Sequence, residues 1–342
     1  MGVCSVLLLS SSFVCLTSAF GMSWGSEASR LARVAAGADG ARRGGGPSGG
    51  IVWLEHLNIV VGDRVVAERF YFEEGLGLTR DPAKPGGATA GTMWANLGKQ
   101  QLHLAARAAD DPPQAVRGAI GLVLPKAAEA YERLRKIPEA RVELHSDNCF
   151  SAQCPWGNVF HVYDVDGYRV HDEVESPKTT TKMAAMHKDD GRLTVRNGPG
   201  IRYLYVKCND AKKVAQRYES FLGHRSQGKS DDEDLQVIDA GTGPVHFIFE
   251  TKPKDPVADA RMDGVHACIY VDNFPKRYDD LQDFVFTNPR FKHLDTCDTI
   301  EEALASRTFR FKLPDTLEHE TRSLSHQQFL KDIVYHGPPP HP

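Results

Sequence analysis

The sequence predicts an α+β fold of four βαβββ modules, paired into two strongly curved mixed-sheet barrels. Three observations predict it. A strand–turn–helix–glycine unit opens at Trp53-Leu-Glu-His56 and closes on Gly75-Leu-Gly77. The same unit returns at Tyr203-Leu-Tyr-Val-Lys-Cys-Asn-Asp210, followed by a helical run over 211–222 and Gly223. After each helical run come several short strand-like runs, with no helix between them long enough for serial βαβ crossovers, which disfavours a doubly wound parallel sheet.

The modules follow in order. The first, about 51–106, reads as strand 52–61, helix 64–74 and strands near 91–97 and 100–105, with Asp63 as N-cap and Gly75 as the stop. In the second, about 117–175, strand Ala119–Leu124 precedes helix Lys126–Lys136, where Ala127, Tyr131 and Leu134 share a face. Strands around Val142–Leu144, Asn158–Tyr163 and Arg169–Glu173 complete it. The third, about 200–250, repeats the first. The fourth, about 263–322, joins strand Val265–Val271 to helix Phe274–Phe284, then strands near 285–287, 307–312 and 316–322.

Two anchors fix the repeat. Val-Ala-x-Arg stands at 66 and again at 214, an offset of 148. Ala130-Tyr-Glu-Arg-Leu134 and Arg277-Tyr-Asp-Asp-Leu281 differ by 147. Agreement to one residue points to a duplicated half. The expected organisation is therefore a leader 1–50, a first two-module domain 51–175, a linker 176–199, a second two-module domain 200–330 and a tail 331–342.

Composition bounds the function. Hydrophobic residues at 41% and charged residues at 25% suit a globular chain of two domains in 342 residues. A net charge of -4, without a Lys/Arg stripe, gives no electrostatic case for nucleic acid. Outside the leader five cysteines remain, with no framework spacing, so reduced and mostly buried thiols are expected; a Cys149–Cys154 bridge is not demanded. Residues 5–19 form an apolar, Ser-rich run that ends in Thr17-Ser-Ala19-Phe20 and is too short to span a bilayer. Residues 21–50 place Arg30, Arg33, Arg42 and Arg43 among Ala, Gly and Ser, which is transit-peptide composition. The pair resembles a bipartite plastid presequence, with secretion as the alternative, and implies no membrane association of the mature protein. Oligomeric state cannot be read.

His56-Leu-Asn-Ile-Val-Val-Gly-Asp63, Gly75-Leu-Gly77 and Asp164-Val-Asp-Gly-Tyr-Arg-Val170, in that order, resemble the vicinal oxygen chelate superfamily, which includes glyoxalase I, fosfomycin and bleomycin resistance proteins and extradiol dioxygenases. The resemblance covers 51–175 well and 200–322 more loosely. It implies ligand positions on the first and last strand of each module. They map onto His56, His103, Ala119 and His171 in the first half, and onto Tyr203, His246, His266 and Glu318 in the second. Glu250 rivals His246 and Glu320 rivals Glu318, each pair sharing a strand face. The commonest trio in the family uses both first strands plus the last strand of the second module, and neither half alone retains it.

From this follow His246, His266 and Glu318 as the expected metal set, with Glu318 also as the proton-moving group, and His56, His103 and His171 as a weaker set. The implied cofactor is a divalent metal (Zn, Ni, Mn or Fe) and the implied partner a small oxygenated substrate. Imidazoles and a carboxylate suit such a cation, and an open coordination position receives neighbouring substrate oxygens. The implied activity is glyoxalase-like lyase or isomerase chemistry, or a dioxygenase reaction. The alternative is a non-catalytic protein that sequesters a small hydrophobic molecule without metal. Each residue also has a bland reading. His266 suits a hydrogen-bonded core strand, Tyr203 suits packing, and His145, His161, His293 and His319 suit loop or surface positions. Asp231-Asp-Glu-Asp234 reads as a solvated loop, having no EF-hand spacing.

Overall fold

A computed structural model describes residues 24–41, 50–82, 91–107, 114–165, 200–223, 234–241, 245–252 and 264–325. His171, the strand expected near 169–173, the linker core, the signal run with Phe20 and the tail 331–342 lie outside the described residues.

The first module comprises β1 (Ile51–Val61), α2 (Arg64–Tyr71), the short β2 (Thr79–Arg80), β3 (Thr92–Leu97) and β4 (Gln100–Ala106). The second comprises β5 (Gly118–Leu124), α3 (Ala127–Leu134), β6 (Arg141–Ser146), β7 (Cys149–Gln153) and β8 (Val159–Asp164). The third has β9 (Gly200–Cys208), α4 (Ala211–Leu222), β10 (Leu235–Asp239) and β11 (His246–Thr251). The fourth has β12 (His266–Val271), α5 (Phe274–Leu281), α6 (Ile300–Ser306), β13 (Thr308–Lys312) and β14 (Glu318–Ser323). Ahead of them all stands α1 (Trp24–Ala41), inside the stretch expected as leader.

The duplicated grammar is visible in the caps. Asp63 accepts from the Val65 and Val66 N–H groups at 2.8 and 3.1 Å, and Asp210 accepts from the Lys213 N–H at 2.9 Å. Each carboxylate satisfies donors that a helix start leaves open. Gly223 ends α4 in the left-handed region at φ 70°. At Gly75 the chain passes so close to the Phe70 carbonyl that no side chain would fit.

The strands form two seven-stranded mixed sheets, curved but not closed into barrels. Their orders are β13-β14-β12-β1-β4-β3-β2 and β10-β11-β9-β5-β8-β7-β6. This corrects the expected pairing of modules. The first sheet joins module one to module four, and the second joins module two to module three, so neither 51–175 nor 200–330 builds a sheet by itself. The reason lies in what the convex faces bury. Consecutive modules stack back to back. Phe70 and Tyr71 of α2 pack on Phe160 of β8, and the Arg133 guanidinium of α3 donates to the Gly75 carbonyl at 3.0 Å. In the other half, Tyr218 of α4 bonds His319 of β14 at 2.8 Å, and Phe221 meets Phe284. One apolar core runs between the sheets and takes residues from all four modules. The first strands, left with a free edge each, pair across the halves: β1 with β12 and β5 with β9, both antiparallel.

Those seams carry the repeat register. Asn58 faces His266 and Tyr205 faces Ala119; 205 − 58 and 266 − 119 both equal 147. His56 faces Cys268 as Tyr203 faces Gly121, at the same offset. The later strands depart from the expected equivalences. Tyr203 lies beside His246 in parallel pairing, but His56 lies beside Gln101, so His246 corresponds to Gln101 rather than His103. Glu320 beside Cys268 corresponds to His161 beside Gly121. All five described cysteines are free, and no described helix is long and apolar enough to cross a membrane.

Candidate functional site

Each sheet presents a concave face, here called a cup. In the first cup, period-two alternation turns His56 and Asn58 of β1, Gln101 and His103 of β4, His266 and Cys268 of β12, and Glu318, Glu320 and Arg322 of β14 away from the apolar core. Their neighbours Leu57, Ile59, Leu102, Leu104, Ala267 and Ile269 face that core. All nine cup residues except Gln101 and Arg322 are buried.

His56, His266 and Glu320 converge. One donor atom from each lies within 4.8 Å of the others. His266 Nε2 stands 3.4 Å from Glu320 Oε2. Neither ring nitrogen of His56 makes a hydrogen bond, and Nδ1 of His266 makes none. The nearest charged group to His56 is Glu55, 3.6 Å from Nδ1. Glu55, His56 and Cys268 form a second, overlapping cluster of the same compactness. The His56 ring is held by stacking: His103 lies on it at 3.6 Å between centroids, and Trp94 covers the far face of His103 at 4.5 Å. His103 Nε2 is 3.0 Å from Gln101 Oε1, which makes His103 a support for His56 and keeps that nitrogen engaged.

Two arginines accompany the carboxylates. Arg310 of β13 reaches Glu318 at 3.0 Å and Glu320 at 2.8 Å, while Arg322 reaches Glu55 at 2.6 Å and Glu320 at 2.7 Å. Asp295 adds a longer contact to Arg310 at 3.4 Å. Asn288 donates to the second oxygen of Glu318 at 2.7 Å, so both oxygens of Glu318 are engaged. Phe291 lies under the Arg310 guanidinium at 4.1 Å and edge-on to His266 at 5.4 Å. Thus the 288–298 loop roofs this cup.

The electrostatics follow from burial set against charge. Burial works to raise the Glu320 carboxyl, but Arg322 and Arg310 overcome it and hold the group well below the usual carboxylate range. Burial opposes Glu55 in the same way, and Arg322 with His56 brings it down to about 2. Burial pushes His103 well below the ordinary imidazole range, helped by His56. It lowers His266 too, with Glu320 pulling the other way. These shifts favour neutral His103 and His266 and ionised Glu55 and Glu320, the states in which imidazoles and carboxylates bind cations.

The second cup is different. Ala119 and Val123 of β5, Tyr163 of β8, Tyr203 and Tyr205 of β9, Leu235 and Val237 of β10 and Ile248 of β11 line it, with α1 laid across. His161 Nδ1 meets the Tyr203 hydroxyl at 3.0 Å, and the Tyr203 and Tyr163 hydroxyls meet at 2.7 Å. Gly121 makes room for the Tyr203 ring, since a Cβ at 121 would lie 2.5 Å from it. His246 is here, 3.1 Å from Asp239, in the opposite sheet from His266.

The structure thus brings His266 and Glu318 into one cup with His56 and His103, and places His246 in the other. Glu320, a rival to Glu318 in the sequence, stands against His266. The signal that could have chosen it is the cross-strand match of Arg310 with Glu320. His319 is buried in the core, bonded to Tyr218 and to the Leu317 carbonyl. His161 lies in the second cup, while His293 is exposed.

Two curved mixed sheets, each joining two modules that open on a strand and a helix, make an α+β fold of the vicinal oxygen chelate type, with two described strands after the helices of modules three and four where three were expected. No family model matches the sequence, and no curated protein matches it. Among solved structures, glyoxalase I from Zea mays is similar at 13% identity, over 83% of this chain and 97% of its own, with a TM-score of 0.49. The cppA protein of Streptococcus pneumoniae TIGR4 is similar at 10% identity, over 80% and 98%, at 0.43. The 2,3-dioxygenase LapB of Pseudomonas sp. KL28 is similar at 14% identity, over 81% and 93%, at 0.27. Likeness at this level concerns the fold, and no residue role is carried over from these proteins.

Proposed function

We propose that the first cup binds a divalent cation through His56, His266 and Glu320 and acts on a small molecule with neighbouring oxygens, by lyase, isomerase or dioxygenase chemistry. One observation carries this reading: both ring nitrogens of His56 and Nδ1 of His266 are buried without hydrogen bonds, in a cluster where His56, His266 and Glu320 each bring one donor atom within 4.8 Å of the others. An unpaired buried polar atom costs about 1–3 kcal/mol, so a cluster of them points to a ligand that completes it. Module exchange also supports the reading, because it supplies the trio that neither half holds alone: two first-strand histidines and one last-strand carboxylate. That donor set leaves coordination positions open and suits zinc or non-haem iron.

When bound, the cation would supply Lewis acidity to a carbonyl or enediolate oxygen. The chain's own residues do the rest. His103 and Trp94 fix the His56 ring. Asn58 donates to the Gly264 carbonyl at 2.9 Å and so secures the entry to β12 just before His266. Arg310 and Arg322 keep Glu320 ionised, and Glu318 with Asn288 orients Arg310.

The same arginines favour a second reading. Their guanidinium groups already neutralise Glu320, so the cup is balanced without a cation, as the alternative of a metal-free binding protein requires. Metal analysis of protein purified without a histidine tag separates the two. Near-stoichiometric metal, lost in His56→Ala and in His266→Ala, is expected. Metal-free protein, or metal unaffected by both changes, would sink the first reading and favour the second.

A further inference from the structure

The second cup is filled by the chain itself. Ala28, Leu31, Ala32, Ala35 and Ala38 recur at helical spacing, and all are buried against the sheet. Small side chains on that stripe let α1 lie close. At Gly25 the approach is closest, since a Cβ there would lie 2.8 Å from the His145 ring. Four further contacts tie α1 to separate strands. The Tyr163 hydroxyl of β8 donates to the Ala28 carbonyl at 2.7 Å. Arg30 pairs with Glu250 of β11 at 2.9 Å, Glu27 with Lys207 of β9 at 3.2 Å, and Arg141 of β6 covers the Trp24 ring at 4.6 Å. Glu250 is buried and also accepts from Tyr205 and Lys252, so α1 completes its ion pairing. Lifting α1 away would bare a contiguous apolar face of Ala119, Val123, Leu235, Val237 and Ile248, a liability on a soluble surface.

We propose that Trp24–Ala41 is a permanent part of the folded protein and the built-in occupant of the second cup, so that any presequence cut falls at or before Trp24. Only the first cup is then left without a helix of the chain laid across it. Composition alone assigns the same residues to a removable leader, but a leader needs no contacts matched to four strands. This inference is independent of the metal reading.

Intact-mass and N-terminal mapping of the protein isolated from its own cells tests it. An N-terminus at or before Trp24 is expected, and one at any later residue overturns the proposal. Thermal unfolding gives a second arm. Protein lacking residues 1–23 should melt with the full chain, whereas protein lacking 1–41 should melt at least about 5 °C lower and bind an apolar dye. Equal melting without dye binding also overturns it. Should the shorter protein not fold, Gly25→Val and Arg30→Ala in the full chain remain measurable. Both are expected to lower Tm, and unchanged Tm in both counts against the proposal.

Discussion

The two cups share one strand plan and one register, yet one is lined by imidazoles, carboxylates and an arginine while the other is lined by tyrosines and apolar residues beneath a helix. At matched positions His56 answers to Tyr203, Asn58 to Tyr205, His266 to Ala119, Cys268 to Gly121 and Glu320 to His161. The first cup keeps imidazole nitrogens without partners beside ion-paired carboxylates. The second satisfies its hydroxyls with one another and covers them with a helix. The lesson is that the scaffold dictates where inward side chains fall, and local chemistry then decides whether the space suits a ligand or packing.

The contrast can be broken most forcefully at Glu320. Glu320→Ala removes the carboxylate that Arg310 and Arg322 share, leaving them Glu318, Asp295 and Glu55, and should cost about 3 kcal/mol in urea unfolding. The matched change His161→Ala removes a neutral ring and should cost clearly less. Equal losses would erase the distinction between a charged and a satisfied cup. Acid titration sharpens it next. Burial, with His145 and Lys207, drives His161 to about 3, and burial likewise takes His319 to about 3. Both are depressed below the unfolded value of about 6.5, so the unfolded chain binds protons first and stability falls as pH drops from about 6.5 towards 3. The slope approaches about 1.4 kcal/mol per pH unit for each proton. His103 and His266 are depressed as well, so His161→Gln should remove one contribution among several, lowering the slope between pH 6.5 and 4.5 by up to about 1.4 kcal/mol per pH unit. Glu55 behaves differently, since its folded value of about 2 lies below the ordinary 4.5. Its contribution, on the order of 3 kcal/mol, is present above pH 4.5 and is lost only as pH falls towards 2. A slope unchanged by His161→Gln would show that this histidine is not buried neutral.

Smaller effects belong to single bonds of the second cup. Tyr203→Phe removes a hydroxyl shared by His161 and Tyr163 and should cost about 1 kcal/mol by denaturant titration. Lys207→Ala loses a partly exposed pair with Glu27 and a 5.5 Å contact with the Tyr205 ring, and should cost about 1 kcal/mol or less. A larger loss there would mean that α1 is held chiefly by charge rather than by its alanine stripe.

Much of this was legible in the sequence. The offset of 147, the caps Asp63 and Asp210 and the opening strand–helix unit of each module come from local chemistry and appear in the fold, whereas β7 and α6 were not expected and no strand forms at 285–287. Module pairing was not legible, because it depends on which convex faces bury one another, and Phe70 on Phe160 leaves no local trace. That one unreadable step moved His246 away from His266 and brought His56 to it. His56 and His266 were identifiable singly, while Glu320 could not be ranked above Glu318 without knowing where Arg310 would fall. Arg310 and Arg322 went unnoticed since arginines in strands ordinarily face water. The 24–41 helix was hidden by composition, because Ala, Gly and Arg serve equally for a leader and for a tight inner helix.

Exchange of modules between the halves has an evolutionary corollary. A lone half-length ancestor would have carried both walls of a site without being able to close them, and two copies meeting about a two-fold axis would have made two identical sites. Once fused, every position existed twice, with each copy of a residue serving a different site. A substitution at 203 or 119 then left 56 and 266 untouched, so the two sites were free to diverge.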